Sequence, residues 1–303
     1  MQKLLNLLQE RIPSHDGCAR LLHGRGRKWP EFEHLSIDFY PPHVLITTYK
    51  EISDLEKKEL IEVILKLGLN LQAILLQKRY VKGEAIEALV GSIPKESFAV
   101  ENSEKYLLNL NNPQNIGFFL DMAVGRSLLK KISKGKSVLN LFSYTCSLSI
   151  AALKGEAREV VNVDMSKSAL KIGGDNHTLN GIDKRNVKFM SHDIMKSFGN
   201  LTKKGPYDLV IIDPPTNQGL SFRVDHDYHK IIRRLDEMTS EDAVIMACLN
   251  SPFHNSSFLI SAFSQHAPKF TFQEKFYSSF NEMEVDPEKG LKILLFKKEI
   301  KKS

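Results

Sequence analysis

The sequence predicts a doubly wound α/β domain over residues 111–303, preceded by a smaller α+β domain over residues 1–110. Three observations carry this expectation. From Asn111 onward, short uninterrupted apolar runs alternate with helical segments, the pattern of strands buried on both faces of a parallel sheet. Before that point the chain mixes turn-linked strands with one helix, the texture of an α+β unit. Finally, polar residues collect just beyond the carboxyl ends of the apolar runs, where open sheets of this kind bind ligands.

The elements follow in order. The opening MQKLLNLLQERIP reads as a short amphipathic helix rather than a signal peptide, because it carries Glu10 and Arg11 and lacks a small-residue cleavage site. LSIDFY (35–40) and HVLITTY (43–49) read as strands joined at Pro41-Pro42. Residues 54–68 form a helix, with Leu55, Leu60, Ile61, Ile64 and Leu65 at helical spacing and Gly68 as a C-cap. AILLQKRY (73–80) is a strand, and 98–110 a hairpin with Asn102-Ser103 at its tip. In the second part a helix at 120–132 precedes strands at 137–142, 159–164, 187–190, 207–213 and 243–249. Helices at 147–154, 166–179, 226–238 and 254–266 lie between them, and strands at 270–279 and 292–298 close the chain as a pair at the sheet edge.

Composition bounds the function. At 303 residues, 42% hydrophobic and 26% charged, the chain is long enough for two globular domains. Cys18, Cys146 and Cys248 are few, scattered and odd in number, which argues against a disulfide framework or a zinc site and for reduced thiols in a cytoplasmic setting. No metal is expected. No run approaches the ~18 apolar residues that span a bilayer, so no membrane partner is expected. The net charge of +6 suits a nucleic-acid partner, although on charge alone simple solubility explains it equally well. Basic residues cluster at Arg20, Arg25, Arg27 and Lys28, at Lys78, Arg79 and Lys82, and in the tail at Lys297, Lys298, Lys301 and Lys302.

The strand ends carry the chemistry. The first strand ends in Asn140-Leu141-Phe142-Ser143-Tyr144-Thr145, a loop leading into a helix N-terminus whose amides suit a carboxylate or phosphate. It is not GxGxxG, which counts against a dinucleotide site. Asp164 ends the second strand, placed to accept hydrogen bonds from two ribose hydroxyls and to repel a 2′-phosphate. His192-Asp193-Ile194 follows the third strand; Asp193 suits an adenine amino group and Ile194 the ring face. Asp213-Pro214-Pro215 ends the fourth strand in a stiff loop. An aspartate after a strand is often only a turn residue; here it is the joint pattern that points to a ligand.

These residues resemble the class I S-adenosylmethionine (SAM)-dependent methyltransferases. More narrowly, they are similar to the group containing the large-subunit ribosomal RNA 5-methylcytosine methyltransferase and its N-methylguanine relatives. The matching segments are IGFFLDMAVGR (116–126), NLFSYTCSLS (140–149), VNVDMSKSAL (161–170), HDI (192–194) and DPPT (213–216), with RLLHGRGRKWPEFEHLSIDFY (20–40) before them. The resemblance implies a Rossmann-like sheet and SAM as the cofactor. It assigns a role in holding SAM to Asp121 and Arg126, and to the loop residues Asn140, Phe142, Ser143, Tyr144 and Thr145. It adds Asp164, Met165 and Ser166 on the ribose side, His192, Asp193 and Ile194 on the base side, and Asp213 and Pro214 at the mouth. RNA, through methylation of a ribosomal base, is the implied partner, and a homodimer is compatible. Met122, Ala123 and Gly125 depart from the group's FLDQR-like segment, Cys146 stands where the group has glycine, and the group's N-terminal PUA domain has no counterpart before the match.

The reacting atom stays open on these residues. A nitrogen nucleophile can attack directly, with Asp213 accepting its hydrogen. Carbon 5 of cytosine needs a thiolate first, and the resemblance places Cys248, in ACLNSP, at the group's nucleophile position; a buried structural thiol is the other reading. Arg25 and Lys28, beside Trp29, suit RNA by charge and stacking, or simply form a surface loop. A methyltransferase of small molecules or proteins, a non-catalytic SAM-binding module and an NAD-type oxidoreductase are the competing functions.

Overall fold

The computed structural model describes residues 1–13, 17–83, 85–219 and 221–299. The chain forms two compact units, Met1–Leu120 with Glu282–Val285, and Asp121–Asn281 with Asp286–Ser303. The boundary thus falls ten residues later than the change of texture at 110/111, and a short segment of the C-terminal part returns to the first unit.

The first unit contains α1 (Gln2–Gln9), β1 (Ala19–His23), β2 (Leu35–Tyr40), β3 (His43–Thr48), α2 (Asp54–Leu65), β4 (Ala73–Lys78), β5 (Ile86–Val90), β6 (Ser97–Glu101) and β7 (Glu104–Leu108). The first five strands form one sheet in sequence order, and β6 pairs with β7 as the expected hairpin. Only β3 and β4 are parallel, because α2 supplies the crossover between them. Ser53 starts α2 by accepting a hydrogen bond from the Glu56 amide at 3.1 Å. The helix buries Leu60, Val63 and Ile64 but leaves Leu55 and Leu65 exposed, so its apolar face is narrower than the sequence spacing predicts.

The second unit holds α3 (Ala123–Ile132), β8 (Ser137–Leu141), α4 (Ser147–Lys154), β9 (Glu159–Asp164), α5 (Lys167–Leu179), β10 (Val187–Ser191), α6 (Phe198–Lys204) and β11 (Tyr207–Ile212). There follow a small hairpin of β12 (Asn217–Gln218) and β13 (Phe222–Arg223), then α7 (Val224–Ile232), α8 (Leu235–Met238), β14 (Thr239–Asn250), α9 (Ser256–His266), β15 (Phe270–Tyr277) and β16 (Leu291–Lys298). The sheet order is β10-β9-β8-β11-β14-β16-β15. It is parallel up to β14, and β16 and β15 close it antiparallel. The doubly wound expectation is met.

The apolar runs are continuous because successive residues serve opposite faces. Leu139 and Leu141 join one buried cluster with Val210, Ile212, Tyr228 and Ile231, whereas Val138 joins the other with Leu209, Leu129 of α3 and Ala151 of α4. The chain winds outward from β8 through β9 to β10, then returns to the other side of β8 with β11. The switch point, and hence the expected crevice, lies at the carboxyl ends of β8 and β11. The helix expected at 226–238 is interrupted, since α7 ends at Ile232 and the chain restarts as α8.

Candidate active site

The loop after β8 has an unusual backbone. Phe142, Tyr144 and Cys146 adopt left-handed φ values of 58°, 45° and 64°, three non-glycine residues in alternate positions. Each such conformation costs on the order of 1–3 kcal/mol and persists only where the surroundings impose it. The turn is held from within: the Ser143 amide donates to the Val163 carbonyl at 3.1 Å, the Tyr144 amide to Asp164 Oδ2 at 2.9 Å and the Cys146 amide to the Ser143 carbonyl at 2.7 Å, and the loop then leads into the N-terminus of α4.

Cys146 shows how a non-glycine residue is tolerated there. Its side chain is fully buried, and a Cβ built on Gly173 of α5 would lie 2.5 Å from its Sγ. The missing side chain at Gly173 therefore makes the room that the thiol fills. Burial pushes the thiol pKa far up, so it is an inert packing group. Gly125 is explained the same way: a side chain there would collide with Met122, Met246 and Ile293, so its absence lets α3 settle on β14 and β16.

Asp164 is 7% exposed and rigidly held. Its Oδ2 accepts the Tyr144 amide at 2.9 Å and its Oδ1 the Ser166 amide at 2.8 Å. Each oxygen keeps lone pairs for further donors, as a pair of ribose hydroxyls requires. Ser166 in turn caps α5 through the Ala169 amide. Ser191 pairs with Asp164 in register, so the Asp193 segment after β10 lies beside Asp164 on the same edge of the sheet. The two carboxylates that the sequence assigns to one ligand do share that edge.

Beyond them is a narrow slot. Phe142, Met165, Asp193, Ile194, Met195, Gln218, Ser221 and Phe222 line it. Phe142 and Phe222 meet edge to face with ring centroids 4.9 Å apart. Its walls are mostly apolar, and Asp193 places one carboxylate at its rim. Gln218, Ser221 and Phe222 come from the β12–β13 hairpin, which sequence reading did not anticipate; Gly219, with φ of 59°, was the available turn signal.

Two expected ligand residues are placed elsewhere. The Asn140 side chain is fully buried and donates to Asn162 Oδ1 at 2.9 Å. Asn162 donates to Ser149 Oγ, which meets His177 Nε2 at 2.9 Å, and His177 Nδ1 meets the Gly173 carbonyl at 2.6 Å. A neutral His177 with its proton on Nδ1 lets Ser149 donate to Nε2 while Nδ1 donates to Gly173, and burial lowers its pKa accordingly. Asn140 thus ties β8 through β9 and α4 to α5, beneath the crevice. His192 is exposed; its amide donates to the Asp164 carbonyl at 3.1 Å, and its side chain is not part of the slot.

At the mouth, Asp213 follows β11. Burial, reinforced by the Asp121 carboxylate, raises its pKa to about 7, while the Arg126 guanidinium works against the rise. Arg126 is 1% exposed within α3. Asp121 Oδ2 accepts from Asn250 Nδ2 at 3.3 Å, and the Asn250 carbonyl accepts from Thr216 Oγ1 at 2.7 Å. Asn250 was not singled out from sequence; the strand had been expected to end at 249, and β14 runs one residue further. Cys248 is fully buried among Met122, Leu129, Val138 and Ile293, and burial with Asp213 nearby pushes its thiol pKa far up. The buried Tyr228 hydroxyl is committed to the backbone, donating toward the Cys248 and Ile212 carbonyls at 3.1 and 3.3 Å.

A doubly wound sheet that brings a strained loop, a backbone-anchored carboxylate and a mostly apolar slot to its switch point defines a fold class that binds its ligand in that crevice. The chain belongs to the S-adenosylmethionine-dependent methyltransferase family, whose pattern it matches over residues 19–297. It is 38% identical over 144 residues to ribosomal RNA large subunit methyltransferase I of Aeromonas salmonicida, covering 47% of this chain and 36% of that protein. It is 34% identical over 220 residues to ribosomal RNA large subunit methyltransferase K/L of Shewanella loihica, covering 68% and 30%. The chain therefore spans about a third of the length of these curated relatives. Among solved structures, a methyltransferase from Streptococcus mutans superposes with a TM-score of 0.84 at 25% identity, covering 98% of this chain and 81% of that one. A crystal structure complexed with SAH superposes with a TM-score of 0.85, at the same identity and coverage.

Proposed function

We propose that this chain transfers the methyl group of SAM to a base of RNA, in the large ribosomal subunit, and that the acceptor is a nitrogen. SAM, when bound, supplies an electrophilic methyl carbon on a sulfonium. The N-terminus of α4 would face its carboxylate, Asp164 would accept from its ribose hydroxyls, and the Asp193 and Ile194 segment would meet its adenine. The observation that carries the reading is the convergence of these three features at one edge of the sheet.

The acceptor assignment rests on Asp213 and Cys248. A carboxylate with a pKa of about 7 divides between its two forms at neutral pH, so Asp213 can accept a hydrogen bond from a base N–H and take up its proton as the methyl group arrives. Asn250 and Asp121 stand beside it to orient the base edge, and the exposed Phe253 offers a ring for stacking. Methylation at carbon 5 of cytosine would need a thiolate at Cys248, and its apolar burial opposes ionisation. The large-subunit rRNA substrate is inferred from the names of the relatives in Aeromonas and Shewanella. Incubation with methyl-labelled SAM and large-subunit rRNA, followed by digestion to nucleosides, tests it. Label in an N-methylated nucleoside supports the reading; label in 5-methylcytosine, or none in RNA, contradicts it.

A further inference from the structure

The first unit collects cations and aromatic rings at one end of its five-stranded sheet. β1 and β3 both run antiparallel to β2, and β4 runs parallel to β3, so β1, β3 and β4 all finish at the same edge. Arg25, Arg27 and Lys28 follow β1, Tyr49 and Lys50 follow β3, and Arg79, Tyr80 and Lys82 follow β4; all eight are exposed. The strand ends are tied together, since the Arg79 amide donates to the Thr48 carbonyl at 2.9 Å and the Tyr49 amide to the His34 carbonyl at 3.0 Å. The Arg25 guanidinium lies 4.6 Å from the centre of the Tyr49 ring. Lys28 donates to the Glu282 carbonyl at 2.7 Å, and Arg79 to the Gln114 carbonyl at 2.7 Å.

None of these six cations forms an ion pair with a carboxylate among the described residues. Elsewhere in the unit the pattern differs: Lys57 and Lys78 are paired with Glu87, Arg20 with Asp38 and Lys3 with Glu31. The exposed acids near this edge are Glu31, which pairs with Lys3, and Glu33, Glu51 and Glu282, while the half-buried Glu284 pairs with His23. Uncompensated cations interleaved with exposed tyrosines are the chemistry of a single-stranded nucleic-acid platform, with cations following the phosphates and rings accepting unstacked bases. A duplex offers its bases no such access, and an acidic peptide would leave the rings unused.

We infer that the edge of the first sheet marked by Arg25, Tyr49, Lys50, Arg79, Tyr80 and Lys82 is a docking surface for single-stranded RNA. It rests on the RNA reading proposed above and extends it to a second site, carried by its own residues. The cations supply affinity without sequence preference. Tyr80 and the Arg25–Tyr49 pair supply stacking, which favours unpaired loops over helices.

The test measures binding of a fluorescein-labelled, mixed-sequence single-stranded RNA of about 20 nucleotides to the full chain across a salt series. The combined variant Arg25→Ala, Lys50→Ala, Lys82→Ala should weaken binding by at least about fivefold. Its salt slope should fall by about two, at roughly 0.7 for each phosphate that is no longer neutralised. Tyr80→Ala should weaken binding by about fivefold or more with the slope unchanged, because stacking releases no counterions. The matched variant Lys58→Ala, Lys66→Ala, Lys95→Ala removes the same charge from exposed positions outside the three strand-end segments and should bind as the parent does. Equal weakening by both triple variants would reduce the effect to net charge and overturn the docking surface, as would unaltered binding by the first, while the RNA reading would survive in either case. A parent that binds SAH by calorimetry but binds no RNA overturns both. A parent that prefers anionic vesicles of phosphatidylserine to the RNA overturns the assignment of the partner.

Discussion

Replacing Asp213 by asparagine should make the protein more stable and less active, and the gain should grow with pH. The folded-state pKa of about 7 lies above the ordinary 3.8. The unfolded chain therefore loses this proton first, and ionisation weakens the fold as pH climbs between those two values. With one pKa unit worth about 1.36 kcal/mol, the penalty comes to roughly 1.7 kcal/mol at pH 5 and roughly 4 kcal/mol at pH 8. Asparagine does not titrate, so its other effects on packing are constant and cancel between the two conditions. The stability difference between the variant and the parent, measured by urea unfolding, should rise by about 2–3 kcal/mol from pH 5 to pH 8. Methyl transfer by the variant should fall on the order of 100-fold or more, while the parent's rate should increase with pH through about 7. A stability difference independent of pH would refute the half-buried, proton-holding carboxylate on which the acceptor chemistry depends.

Three further outcomes are expected. Cys248→Ala should keep its transfer activity and lose about 1 kcal/mol of stability; loss of transfer in a folded variant would restore the thiol to the chemistry. Gly173→Ala should cost roughly 1–3 kcal/mol by pressing on Cys146, and Cys146→Gly in the same chain should recover most of it, a coupling readable in a double-mutant cycle. Partial burial pushes the Glu288 carboxyl up, but hydrogen bonds from Lys275, Tyr277 and Ser256 outweigh it and hold the pKa down at about 2, so its contribution is full above about 4.5 and fades as pH falls toward 2. Glu288→Gln should therefore cost about 1–3 kcal/mol at pH 7 and little at pH 2, by urea unfolding.

The second unit was the more legible in sequence because its strands are buried on both faces. Runs such as YDLVIID have no polar interruption to confuse the pattern, and Ser147–Lys154 and Glu159–Asp164 fall where they were expected. The first unit hid β1 and β5. β1 is broken by an irregular register between Arg20 and Leu22, and β5 is half exposed, with Glu87 drawn to Lys57 and Lys78. The shared position of Asp164 and the Asp193 segment was readable because a strand end fixes where each lies. Asn140 was expected to line the cofactor, and the structure instead seats its side-chain amide in a buried polar network, which local pattern cannot distinguish from a ligand contact. Phe222 and Asn250 were missed because their roles depend on long-range neighbours, Phe142 and Asp121, which local pattern does not reveal.

Calorimetric titration of the parent and Asp164→Asn with SAH tests the adenosyl site most directly. The substitution keeps shape but turns one carboxylate oxygen into a donor, against the Tyr144 or Ser166 amide and against a ribose hydroxyl alike. The parent should bind SAH, and the variant should bind it more than about tenfold more weakly. Equal affinity for the two proteins, or a parent that does not bind SAH, would contradict the assignment of Asp164 to the ribose.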